Sequence, residues 1–167
     1  MFVQCQLDYC ITAWFESLPK YLEQKLQVTQ NKMVRFILNL SVRSQVGQRQ
    51  LNMSNYLNIH DRVSQLRLNH VFKINKATSP LYLSEHFKPV NQVHNVSTRT
   101  RSNATSNYYV HSINSITSTS FYYNPIQDWN GLPNVLKQQA KLTSFKQYVK
   151  HHLANDALRK ETSVFQS

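Results

Sequence analysis

SLPKYLEQKLQVTQNKMVRFILNL, Ser17 to Leu40, is the stretch whose reading decides the fold. Ser17 is a residue type that caps helices, and Pro19 suits a first turn. Leu22, Leu26, Thr29, Met33, Ile37 and Leu40 recur at helical spacing on one narrow stripe, with Phe36 beside it. Lys25, Lys32 and Arg35 share a neighbouring strip with Gln24 and Asn31. The pattern predicts a long amphipathic helix with a buried edge and a basic, amide-rich flank. That flank is either a solvated face or a binding edge.

On its N-terminal side, Met1 to Phe15 reads as a first helix, with Leu7, Cys10 or Ile11, and Trp14 on one face. On its C-terminal side, Ser41 to Asn55 is polar and basic, with Gly47 and room for one short helical turn near Arg49–Met53. Asn58 then caps a helix to about Lys76, with Asp61 in the first turn. Ile59, Val63, Leu66 and Ile74 line one of its faces; Leu68, Val71 and Phe72 add a second. The remaining strip is Arg62, Gln65, Asn69, Lys73 and Lys76, a solvated edge or a contact strip. His70 sits on an apolar face and reads as a core group.

Pro80 to Phe87 reads as a short helix ended by Lys88-Pro89. Val90 to Asn107 is rich in Ser, Thr and Asn and reads as a loop. Its Arg99 and Arg101 suit either a phosphate contact or a plain connector. Tyr108–Ile113 and Ser118–Tyr123 are β-branched and aromatic and predict a small hairpin. The tyrosines there either cover a core or stack on bases. Asn124-Pro125 reads as its end. Trp129-Asn130-Gly131-Leu132-Pro133 predicts a corner anchored by Trp129, with Pro133 opening a short helix. A last helix runs from a Thr143 cap to about Lys160, with Phe145, Val149, His152 and Leu153 inward and Lys146 and Lys150 outward. The expected fold is mainly α: a helical bundle (1–87), a basic polar loop (88–107), a hairpin, corner and helix (108–160), and a frayed tail (161–167).

Composition narrows the function. The chain carries 19 Lys+Arg against 8 Asp+Glu, a formal net charge of +11, which favours a polyanionic partner. Gly47 and Gly131 are its only glycines, which excludes glycine-rich phosphate loops. Cys5 and Cys10 would point about 140° apart on a helix, so they read as reduced, packed thiols. With no visible signal peptide and no membrane span, an intracellular, non-secreted protein is expected. The acids form no Asp-Asp or Asp-x-Asp pair, and the histidines form no zinc-binding spacing. No serine sits in a nucleophile elbow. No metal, no cofactor and no catalytic residue is expected.

The order of residues says more than their spacing. Leu7-Asp8-Tyr9-Cys10-Ile11-x-x-Trp14, Tyr21-Leu22 and Leu26-Gln27-x-x-Gln30-Asn31-Lys32-x-x-Arg35-Phe36-Ile37 are followed by Leu57-Asn58-Ile59-His60-Asp61-Arg62. Then come Lys76-x-x-x-Pro80-x-Tyr82-Leu83, Thr98-Arg99-x-Arg101-Ser102, Ser120-Phe121-x-Tyr123, Trp129-Asn130-x-Leu132-Pro133 and Ser144-Phe145-Lys146. In this order they resemble the thumb and post-thumb region of non-LTR (LINE-type, jockey-like) retrotransposon reverse transcriptases. The resemblance covers about residues 5–153. Phe15 stands where that family usually has Gly after the Trp, and Asn124-Pro125 where it often has Arg-Gly.

The resemblance implies a fragment of an RNA-directed DNA polymerase whose catalytic palm, with its metal-binding aspartates, would lie upstream of Met1. It implies sequence-independent gripping of RNA or an RNA–DNA duplex by its backbone. Lys25, Lys32, Arg35, Arg62, Lys73, Lys76, Arg99 and Arg101 would be the contacts, and Trp14, Trp129, Leu132 and Pro133 structural anchors. The missing palm and thumb segment would be a protein partner. The alternative is a chain captured by a host as a protein-interaction module, or a fragment with no selected function. A binder should cluster its cations; an interaction module should expose an apolar patch.

Overall fold

The computed structural model describes residues 2–93, 107–110 and 122–164, and it is mainly α. In chain order the helices are α1 (Phe2–Asp8), α2 (Ile11–Trp14), α3 (Lys20–Ile37), α4 (Gln48–Met53), α5 (Ile59–Asn75), α6 (Leu81–Ser84), α7 (Val90–Val93), α8 (Tyr123–Gly131), α9 (Asn134–Lys137) and α10 (Leu142–Val164). They form two compact units, residues 1–65 with 148–167, and residues 66–147. The boundaries fall inside α5 and α10.

In the first unit the expected N-terminal helix is broken. Cys10 adopts a left-handed conformation (φ 48°) and separates α1 from α2. The Trp14 indole donates to the Tyr9 carbonyl across the break at 3.0 Å, which gives Trp14 its anchoring role. Cys5 and Cys10 are free thiols, but both are exposed rather than packed. Ser17 does not cap α3: its hydroxyl donates back to Trp14 O at 2.8 Å, and Pro19 occupies the cap position. Pro19 lacks an N–H that would need a partner there.

The buried edge of α3 is rotated from the predicted stripe. Gln30 and Val34 are fully buried, Leu22, Leu26 and Met33 half-buried, and Thr29 and Ile37 exposed. The amides explain the rotation. Gln30 Nε2 donates to the Leu57 carbonyl at 2.7 Å, and Gln27 Oε1 accepts from the Ile59 N–H at 3.1 Å. Gln27 Nε2 donates in turn to Gln30 Oε1 and Asn31 Oδ1. A saturated amide is tolerated inside, whereas polarity scoring places it outside. Asn58 accepts from the Asp61 N–H at 2.8 Å and caps α5 as predicted. Glu161 accepts from the Gln48 N–H at the start of α4, and α10 continues to Val164, so the expected tail at 161 is still helix.

A chain with two glycines must end its helices otherwise. Asn39, Asn55 and Ala77 hold φ of 50°, 62° and 53°. Each closes a paired C-terminal motif: Leu40 N to Arg35 O with Asn39 N to Phe36 O, Tyr56 N to Leu51 O with Asn55 N to Asn52 O, and Thr78 N to Lys73 O with Ala77 N to Ile74 O. Asparagine tolerates this region; alanine does so at a cost of roughly 1–2 kcal/mol.

In the second unit Leu68, Val71, Phe72, Phe87, Tyr108, Ile126, Trp129, Leu132 and Phe145 are buried. Phe72 stacks on Phe145 at 4.3 Å, and Trp129 lies 5.9 Å from the same ring. The expected hairpin is corrected where it is described. Tyr108 forms an isolated antiparallel bridge with Pro89, Tyr122 is a turn, and Tyr123 opens α8; residues 111–121 lie outside the described residues. Asn124-Pro125 is the start of a helix rather than the end of a strand. The first four N–H groups of a helix are unpaired in any case, so proline is admitted there. The Trp129–Pro133 corner is present, with Leu132 N bonded to Trp129 O and Pro133 capping α9. The helix expected over Pro80–Phe87 is limited to α6, and α10 starts at Leu142, so Thr143 lies inside its first turn.

Two substitutions test this account. Ala77→Gly should raise unfolding stability by about 1 kcal/mol, a Tm increase of roughly 2–4 °C. Gln30→Ala should lower it by about 2 kcal/mol, because the Leu57 carbonyl loses its donor and a cavity opens. Chemical denaturation of each variant checks both.

Candidate nucleic-acid interface

The lysines and arginines divide into those that hold the fold and those left at the surface. Arg62 belongs to the first group. Its guanidinium grips Asp8 with two bonds, Nε to Oδ1 at 3.0 Å and Nη2 to Oδ2 at 2.7 Å, and its Nη1 donates to Gln65 at 2.6 Å. This ties α1 to α5. Arg35 Nε donates to Ser44 O at 2.8 Å and steadies the chain after α3. Both were predicted contacts, and both are engaged within the first unit. Gln65 and Asn69, from the same predicted strip on α5, are buried rather than solvated, while His70, expected inside, is exposed.

Lys25 and Lys32 are exposed on α3, and no ion pair among the described residues engages either. Seven residues apart, they sit on one face about 10 Å apart along the helix. Glu23 points elsewhere, with its carboxylate 3.7 Å from His60. In the second unit Lys73 is half-buried, and Lys76 is exposed with its ammonium 5.7 Å from the centre of the Phe72 ring. Arg99 and Arg101 lie outside the described residues.

Three structural cations escaped the sequence reading. Lys150, expected outward, donates to both the carbonyl and the side-chain oxygen of Asn55 at 2.6 Å, closing the end of α4. Burial, then the nearby Arg62 charge, lowers its pKa. Arg67 is buried and lies 3.6 Å from Asp128. Burial pushes its pKa down, against the pull of the Asp128 carboxylate. Lys137 is buried and donates to Asn107 Oδ1 at 2.8 Å and to Asn130 O at 3.3 Å. Nothing in their sequence spacing marks them, because each partner is remote in the chain or on another turn.

Asn130 is the polar centre of the second unit. Its side chain accepts from Tyr108 N at 2.9 Å and donates to Tyr108 O at 2.8 Å, as a neighbouring strand would. Beside it Trp129 and Leu132 are buried, and Pro133 is exposed as the helix cap. Tyr108 and Tyr122 are part of this packing. Tyr108 meets Phe87 edge-on at 5.5 Å, and Tyr122 stacks on His86 at 4.2 Å. Burial raises the Tyr108 hydroxyl pKa.

Among the described residues, no group of three His, Cys, Asp or Glu side chains could hold a metal ion. No described helix is long and apolar enough to cross a membrane. A scan against protein-family models found no match, and neither did comparisons with curated proteins and with solved structures.

Burial lowers the Lys137 pKa below the ordinary lysine value of 10.5. Between the two values the unfolded chain binds more protons than the folded one, so this lysine makes stability rise with pH across that window. Lys137→Met should remove that rise and lose about 1–3 kcal/mol at neutral pH by stranding its acceptors. Urea denaturation of both proteins at a series of alkaline pH values checks the difference.

Proposed function

We propose that the chain is a non-catalytic C-terminal part of a LINE-type reverse transcriptase and binds RNA or RNA–DNA duplex by its backbone. The observation that carries this is the outward face of α3, where Lys25 and Lys32 are exposed in a chain of net charge +11. The ordered motifs quoted above support the family reading. Gln27, Gln30, Arg62, Trp129 and Asn130 from those motifs have structural duties, which gives a physical reason for such residues to stand in that order. Catalysis would reside in an upstream palm, the protein partner in this reading. The protein would work inside the cell, in keeping with its free thiols.

The chemistry of the contact is electrostatic. Each lysine that neutralises a phosphate releases condensed counterions, so affinity falls with salt. It carries no sequence preference, because neither ammonium reads a base edge.

Fluorescence anisotropy with a labelled RNA and an RNA–DNA hybrid across a KCl series tests the reading. Binding should weaken steeply with salt. The Lys25→Ala/Lys32→Ala double variant should reduce the slope of log K against log salt by about 1.4–1.8, two phosphate contacts' worth. A slope near zero in the wild type would refute nucleic-acid binding.

A further inference from the structure

The outward face of α3 carries rings as well as cations. At about 100° per residue, Tyr21, Lys25, Val28, Lys32 and Phe36 fall within an arc of about 80°. From first to last they span about 22 Å of helix. Tyr21 is 58% exposed, Val28 50% and Phe36 88%. Burying a ring such as Phe36 would stabilise by roughly 1.5–3 kcal/mol, so its exposure on a well-packed helix has no folding rationale. Lys25 Nζ lies 5.6 Å from the Tyr21 ring centre, which places a cation beside a ring that still has free area.

A duplex offers phosphates to the lysines but keeps its bases stacked against one another, and the rings gain nothing from it. An unpaired strand offers both: phosphates for Lys25 and Lys32, and base faces for Tyr21 and Phe36. At a stacked rise of about 3.4 Å, the face covers roughly six nucleotides.

We propose that the outward face of α3 binds single-stranded nucleic acid, with bases stacked on Tyr21 and Phe36 and phosphates held by Lys25 and Lys32. This rests on the nucleic-acid reading above and narrows it from any backbone to an unpaired strand. Val28 lies between the lysines and offers an apolar floor to the sugar–base edge. Base identity is not read, since every base has a face to stack.

The test uses the full chain, a fluorescein-labelled 20-nucleotide oligo(U) and an RNA–DNA hybrid of the same length, at one fixed KCl concentration. Oligo(U) should bind at least tenfold more tightly than the hybrid. Phe36→Ser should weaken oligo(U) binding by about 5- to 100-fold, leave hybrid binding unchanged and leave the melting curve intact. Phe36→Trp should restore binding. Equal affinity for the two ligands, with Phe36→Ser without effect, overturns the single-strand proposal and leaves the backbone reading standing. Absence of binding to either ligand overturns both. In that second case, a wild-type chain that self-associates in light scattering and a monomeric Phe36→Ser variant would mark the face as a protein-docking surface.

Discussion

The first unit depends on two glutamine side chains that complete the backbone of a segment they do not belong to. The chain entering α5 brings a carbonyl at Leu57 and an N–H at Ile59 into the interior, and neither has a helical partner. Gln30 supplies a donor to the first and Gln27 an acceptor to the second. An unmade bond at either place costs about 1–3 kcal/mol, so the pair fixes where α5 begins relative to α3. Asn58 then starts α5, and four residues later Arg62 draws in Asp8 from α1. One bonded amide pair thereby organises three helices.

The second unit solves a similar problem with Asn130. Tyr108 arrives as an extended residue among helices, with its backbone N–H and C=O both in need of partners. The Asn130 amide meets both, and Lys137 closes off the Asn130 carbonyl and the Asn107 side chain. The Trp129 ring beside it is fully buried. The Trp-Asn-x-Leu-Pro sequence is thus a wedge and a clasp: an aromatic in the core, an amide in place of a strand, and a proline that starts the next helix.

Among the described residues, five cations are bonded into the fold, and this changes how the charge is read. Arg35, Arg62, Lys150, Arg67 and Lys137 all end on carbonyls, amides or carboxylates inside their own unit. On the outward face of α3, Lys25, Lys32 and the Tyr21 and Phe36 rings stay exposed. Net charge alone sets long-range attraction to polyanions; which lysines can reach a phosphate is a matter of exposure.

The sequence by itself determined the mainly helical class, the long helices α3, α5 and α10, the Asn58 cap and the Trp129 corner. These follow from local rules: apolar spacing, capping side chains and proline geometry act within a turn or two. It did not determine that Gln27 and Gln30 face inward, that Tyr123 opens a helix, that Cys10 breaks one, or that Arg62 is locked to Asp8. Those depend on partners 27, 32 and 54 residues away, or on packing that overrides β propensity in the Tyr122–Tyr123 pair. For the candidate site the division is the same. Spacing placed Lys25, Lys32 and Phe36 on one face, but only the tertiary structure decided that this face stays exposed, because exposure is set by what the rest of the chain covers.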